Sequence, residues 1–371
     1  MKKMIKLSLV AAVAVAGLTT SATAGSLENA IKDTTISGKA MVGYNYSKVG
    51  TTNATNEVEY DIDATITTKV NDTISFTTGV EADHEIAIEG GANSTDIEKG
   101  VGIGLTKAYF TAKTSVATVM IGKQKQPTPF YDDERGDGVV ALIPAGPVTI
   151  AAGHFTGMNS NINGYDGVVD AANPTGLQLA NSAQDITALA IIGSAGPVNG
   201  SLWYAKEAGI IDGTSLSLAA NVGPVKIDFR HSTAELIDVA NSEAETLTKV
   251  IVTGKAANVN LTAAYAMTNN VTTRSHGVDW EGIDAKTNFA LDILNLDTVN
   301  DADAILLGAS MKFGATTVGA NYLMVDAGTN TDATELDVTV KYAMSKNFSI
   351  TGLYSTAEVE TANVKSTDED R

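Results

Sequence analysis

Glu57-Val58-Glu59-Tyr60-Asp61-Ile62-Asp63-Ala64-Thr65-Ile66-Thr67-Thr68-Lys69-Val70 decides the fold. Val58, Tyr60, Ile62, Ala64, Ile66, Thr68 and Val70 share one parity; Glu57, Glu59, Asp61, Asp63, Thr65, Thr67 and Lys69 share the other. Side chains of a strand point alternately to opposite faces, so this segment is a strand with one apolar and one strongly ionic side. A soluble sandwich accepts the same pattern. Length argues against it, because ordinary strands run about 5–6 residues and membrane-spanning barrel strands about 9–11.

The alternation continues after Val70-Asn71-Asp72, where Ile74, Phe76, Thr78, Val80 and Ala82 oppose Ser75, Thr77, Gly79, Glu81 and Asp83. Only a tight hairpin fits between the two runs. Further hairpins pair 101–113 with 116–124, 138–145 with 147–157, 185–194 with 198–208, 214–222 with 225–234 and 246–255 with 258–269. Two more turn at Gly314-Ala315 and Ser345-Lys346-Asn347. Three turns share a Gly-Pro-Val ending, at Gly146-Pro147-Val148, Gly196-Pro197-Val198 and Gly223-Pro224-Val225. Gly admits positive φ and Pro cannot donate to a ladder, so both belong at a turn.

Between hairpins the connections are longer and polar, as at 87–99, 125–137, 158–184, 270–302 and 327–332. Short turns on one side and long loops on the other are the asymmetry of a transmembrane barrel, with the turns periplasmic. The predicted fold is therefore all-β, an antiparallel transmembrane β-barrel of about 18 strands, with 16 the alternative count. The segment from Thr34 to Ser47 supplies the first strand, and an even total then demands a descending partner after Asn347–Glu358. Val364-Lys365-Ser366-Thr367-Asp368-Glu369-Asp370-Arg371 does not read as one. Either the last strand is missing from the sequence or the count is off by one.

Lys2, Lys3 and Lys6, the apolar run Leu7 to Leu18 and the small residues Ala22-Thr23-Ala24 read as a signal peptide over 1–24, cleaved before Gly25. The barrel then occupies 25–371. The apolar run is too short to span a bilayer, which takes about 20 residues, and no later stretch approaches that length. The chain has 371 residues, no cysteine, and 25 basic against 43 acidic residues. Lack of cysteine removes disulfides, zinc–thiolate and thiol-nucleophile chemistry. The acidic balance argues against nucleic acid, whose phosphates need clustered Lys and Arg. It also suits a lumen that concentrates cations, or merely soluble loops.

The mature start, Gly25-Ser26-Leu27-Glu28-Asn29-Ala30-Ile31-Lys32-Asp33 leading into Thr34-Thr35-Ile36-Ser37-Gly38, resembles that of the major outer membrane porins of Campylobacter and related epsilonproteobacteria. Ile121-Gly122-Lys123-Gln124 before Pro127-Thr128-Pro129-Phe130 resembles the strand that enters the inward-folded third loop of that family. The resemblance implies an 18-stranded barrel, a homotrimer, a pore narrowed by the third loop, a preference for cations, and a divalent ion such as calcium near the constriction. Two departures stand out: the absent terminal strand, and an aromatic content of only 6%, thin for two complete girdles.

On that basis the constriction candidates are Asp132, Asp133, Glu134, Arg135 and Asp137 of the third loop. The pore-wall candidates are Lys39, Glu59, Asp61, Asp63, Lys69, Glu81, Asp83, Lys123, Lys226, Asp228 and Arg230. Rings of carboxylates favour cations, whereas a charge run on a solvated loop usually means nothing. Calcium needs six or more oxygens. Asp132, Asp133 and Glu134 are adjacent, so they cannot converge on a calcium ion without help from Glu81 or Asp83. His84, His154, His231 and His276 lack ligand spacing, and alternation places His231 on the outer face or rim. The apolar segment Phe289 to Leu296 reads as a short helix or an extra strand.

No motif places a nucleophile beside a base, so an enzyme is not expected and no cofactor is required. A ring of 16 to 18 strands leaves an aqueous channel where small barrels fill their interiors. The expected function is a general diffusion porin of the outer membrane, passing small hydrophilic solutes and cations among lipid and lipopolysaccharide. The alternatives are a substrate-specific channel, marked by a ladder of basic residues along one wall, and a structural or adhesive surface barrel.

Overall fold

The computed structural model describes residues 32–50, 54–89, 103–131, 135–158, 185–237, 243–271, 280, 286–296, 299–328, 331–361 and 364–370. The segment read as a signal peptide lies outside them, as does His276. β1 (Thr34–Val49) is followed by the hairpins β2 (Thr55–Lys69) with β3 (Ile74–Glu89), β4 (Ile103–Lys113) with β5 (Thr118–Lys125), and β6 (Arg135–Ala145) with β7 (Val148–Met158). Next come β8 (Ile186–Ala195) with β9 (Val198–Glu207), β10 (Ile211–Val222) with β11 (Val225–Leu236), and β12 (Glu245–Ala256) with β13 (Val259–Asn269). The chain ends in β14 (Ala302–Phe313) with β15 (Thr316–Ala327), β16 (Thr331–Ser345) with β17 (Phe348–Thr361), and a short β18 (Val364–Asp370).

All are antiparallel and belong to one sheet in which each strand pairs with its neighbours in sequence. The hairpins read from alternation are the hairpins observed. In the Gly-Pro turns, Gly146, Gly196 and Gly223 have φ of 66°, 58° and 61°. Their flanking residues are direct partners, Ala145↔Val148, Ala195↔Val198 and Val222↔Val225. Positive φ at the first of two central residues is the type II′ geometry that matches strand twist. The other side of the ring is less uniform than expected, since β9 and β10 are joined by only Ala208-Gly209-Ile210.

A seven-residue strand, β18, follows β17 where the sequence reading finds no descending partner. β18 pairs with β17 from Thr361↔Val364 to Thr356↔Asp370, and with β1 only at Lys48↔Asp370 and Val49↔Glu369. Below that rim β1 is paired on one side alone, so the wall is not closed along its height. The segment escapes detection because it pairs with strand ends, where no lipid-facing apolar set is required.

Large apolar side chains stand exposed around the ring, among them Val42, Ile62, Leu105, Ile121, Leu189, Leu202, Leu218, Ile305, Val340 and Ile350. A soluble surface rarely exposes so continuous an apolar band; lipid is its natural partner. Phe110, Tyr204, Tyr265, Tyr322, Tyr342, Phe348 and Tyr354 share this outer exposure, while Trp203 is buried. His231 pairs with Leu216 on this face and meets Thr248 Oγ1 at 2.8 Å.

The main buried cluster lies inside the ring. Phe130 and Tyr131 from the β5–β6 loop and Trp280, Phe289 and Leu296 from the β13–β14 loop pack on Phe155, Ile186, Leu247 and Leu323 of the wall. Ala188, Ala205, Ala234, Ala266 and Ala304 belong to the same cluster. Small inward residues on successive strands leave the room the two loops fill.

Candidate functional site

The acidic run that decides the fold forms one wall of the lumen. Antiparallel register sets Asp63 opposite Lys39 on β1 and Glu81 on β3, and sets Asp61 opposite Asp83. Directly paired residues share a face, so carboxylates of β2 and β3 project together. The Lys39 ammonium is hydrogen-bonded to the Asp61 carboxylate, diagonal to its register partner. Glu59 stands opposite Gly43, and Lys69 lies exposed at the turn end of β2. Of Asp83 only the backbone is described.

Two cations cross this wall from farther strands. Arg135 Nη1 lies 3.0 Å from Glu81 Oε2, reaching over β4 and β5. Lys107 Nζ donates to Thr65 Oγ1 at 3.2 Å. Its stem lies over Gly79, where an added Cβ would come within 3.1 Å of it. Lys107 was not picked out by alternation because a bulge at Gly79/Val80 shifts the β3–β4 register.

The third loop does fold inward, but its described part is aromatic. Phe130 stacks on Trp280 with centroids 4.6 Å apart and planes at 18°, and Tyr131 meets the same indole edge-on at 5.8 Å. Trp280 N donates to Phe130 O at 3.0 Å, and Tyr131 OH donates to the buried carboxylate of Glu207 at 3.3 Å. Asp132, Asp133 and Glu134 lie outside the described residues.

The segment Phe289 to Leu296 is neither a helix nor a wall strand. It is a miniature hairpin inside the ring, bridged at Ala290↔Asn295, with Leu296 N donating to Phe289 O at 3.1 Å. Glu335 of β16 is fully buried and accepts from Ile293 N at 2.8 Å and Leu294 N at 2.6 Å. Lys249 of β12 donates to Asn288 O on the other flank. Sequence reading missed Glu335 because its importance lies in a loop backbone 41 and 42 residues earlier in the chain.

Two cavities flank these loops. One of about 1030 Å³ is bordered by Glu57 and Glu59, with Asp292 of the hairpin tip. The other, of about 740 Å³, is bordered by Arg230, Lys249, Lys286 and Asp228. Lys226 Nζ lies 2.9 Å from Asp228 Oδ2, and Arg230 Nη1 donates to Ser215 Oγ at 2.8 Å.

Register also bears on two other expected lumenal residues. Lys123 and Asp137 are direct partners of β5 and β6, at the parity of Ile121 and Val139, which are exposed on the outer face. Among the described residues no three of His, Cys, Asp and Glu stand close enough to hold a metal. The described carboxylates Asp61 and Glu81 are bonded to Lys39 and Arg135, and the calcium candidates Asp132, Asp133 and Glu134 lie outside the described residues.

No curated protein matches the chain. Among solved structures it is similar to Pseudomonas aeruginosa OccK3 (OpdO), with a TM-score of 0.67 at 12% identity over 93% of this chain and 95% of that one. It is similar to Pseudomonas aeruginosa OccK8 (OprE), with a TM-score of 0.67 at 14% identity over 91% and 96%. A BenF-like porin from Pseudomonas fluorescens Pf-5 gives 0.66 at 11% identity over 91% and 97%. Identities this low establish the fold, that of outer-membrane porin barrels. The family model for the Campylobacter major outer membrane protein matches residues 1–323, and with the apolar outer face and charged lumen already described, the chain belongs to that family of outer-membrane channel proteins.

Proposed function

We propose that this channel is a general diffusion porin with a preference for cations. The observation that carries the reading is the acidic wall: Glu59, Asp61, Asp63 and Glu81 share the lumenal face of two adjacent strands. Glu57 and Asp292 line the neighbouring cavity. Fixed carboxylates around a water-filled path raise the local concentration of cations and oppose anions. Passage needs no catalytic group. The lumen sorts solutes by size at the Phe130–Trp280 cluster and by charge at the wall. Assembly as a homotrimer in lipid and lipopolysaccharide, implied by the family resemblance, is part of the same proposal.

The test is current through the purified protein in a planar bilayer under a potassium chloride gradient. Stepwise conductance with a reversal potential favouring potassium is the expected result. Steps with a reversal potential at zero or favouring chloride would remove the cation preference. A correctly folded protein that gives no steps would remove the open pore.

A further inference from the structure

Glu335 and Asp337 of β16 are two residues apart, so both project into the lumen from one face of the strand. Glu335 is fully buried and Asp337 is 6% exposed. The inward hairpin gives Glu335 two donors, Ile293 N and Leu294 N. Asp337 Oδ1 is enclosed without a hydrogen bond, as is Oγ of Ser355, its direct partner on β17. β15 presents Leu323 and Asn321 to the pair and β17 presents Ala357 and Ser355, none of them charged. The hairpin adds a further acid, Asp292, next to Ile293. Lys341, the next cation along this face of β16, stands exposed four residues on, and Lys249 acts on the other flank of the hairpin, at Asn288 O. Among the described residues neither Glu335 nor Asp337 is in a salt bridge. Two adjacent carboxylates drawn out of water without a cation repel each other and lose hydration. These two lie within hydrogen-bond reach of each other, and a hydrogen bond between carboxyl groups requires a proton on one of them.

We propose that a single proton shared by Glu335 and Asp337 works the inward hairpin as a latch within the channel. The proposal rests on the channel reading and adds a control to it. With Asp337 protonated, its O–H donates to the Glu335 carboxylate, which still accepts from Ile293 N and Leu294 N. Three donors then surround one charge. Without the proton, two charges face each other beneath the hairpin, and only contact with water relieves them. Movement of the hairpin admits that water. Docking therefore takes up a proton and undocking releases it, so acid favours the docked hairpin and base the undocked one. The hairpin carries Phe289 and Leu296, which belong to the same lumenal cluster as Phe130 and Trp280. Its departure widens the path for ions.

The experiment is single-channel recording of the full-length protein in potassium chloride at about pH 5.5 and about pH 8.5. The readout is the ratio of time spent in the lower and higher conductance levels, because titration of the acidic wall changes conductance without switching between levels. In the wild type this ratio should fall about tenfold or more from the acid to the alkaline side, one linked proton allowing up to about tenfold per pH unit. Asp337→Asn keeps the shape and donates to Glu335 at either pH, so this variant should stay in the lower level at both. A wild-type ratio that is the same at both pH values overturns the latch while steps persist. An Asp337→Asn channel that switches with pH as the wild type does overturns it equally. Absence of steps in the wild type at both pH values overturns the channel reading, and the latch with it.

Discussion

Gly213 shows how a single hydrogen atom in place of a side chain positions the lumenal cluster. A Cβ built there would lie 2.6 Å from Thr233 O and 3.1 Å from both the Phe130 and Trp280 rings. The residue is buried on β10, so the ring stack rests directly on the strand backbone. Gly213→Val forces either the strand or the stack to move, and overpacking of this kind destabilises by about 1–3 kcal/mol. A lower midpoint in thermal unfolding followed by circular dichroism is expected; an unchanged midpoint would mean that the stack does not depend on this contact. Trp280→Ala removes the shared partner of Phe130 and Tyr131. Truncating a buried Trp removes about 3–5 kcal/mol of packing, so the third loop should loosen and the single-channel conductance should rise. Conductance at the wild-type level would place the narrowest part of the pore elsewhere.

At the scale of elements, Glu335 fastens the inward hairpin to the wall. One carboxylate accepts two successive backbone N–H groups, from Ile293 and Leu294. Hydrogen bonds to a charged group contribute about 1.5–3 kcal/mol. Glu335→Gln keeps the size but turns an NH2 donor toward one of those N–H donors. Recordings of this variant should show frequent fluctuations between a low and a higher conductance as the hairpin detaches; a steady wild-type level would show that Lys249 alone suffices. The strands themselves were legible, because lipid on one side and water on the other impose period two over every spanning segment. Turn chemistry fixed the hairpin ends, as the positive φ of Gly146, Gly196 and Gly223 confirms. The interior was less legible. Loop residues such as Trp280 and Leu296 obey no period, and their contacts are made with strands distant in sequence. The short β18 was illegible because it pairs only with the ends of its neighbours.

At the scale of the whole molecule, the described acids gather on β2 and β3 while Arg230 and Lys249 stand half a ring away. The outer apolar band hides this polarity from lipid, and the inward loops narrow the water between the walls. A charge about 8 Å from the ion path acts on a permeating ion by about 0.5 kcal/mol in water, a factor of about two in local concentration. Each charge raises cations and lowers anions by that factor, so removing two through Asp61→Asn with Asp63→Asn should lower the cation-to-anion permeability ratio about sixteenfold at low salt, if the contributions add. Loss of Asp61 also frees the Lys39 ammonium from its partner, which moves the ratio in the same direction. Screening sets a second condition. The Debye length is about 10 Å at 0.1 M and about 3 Å at 1 M, so wild type and double variant should converge in molar salt. Reversal potentials of both proteins at the two concentrations provide the measurement. A difference that persists undiminished in molar salt would mean that ions touch these carboxylates directly, which would relocate selectivity from the field of the wall to contact at Asp61 and Asp63.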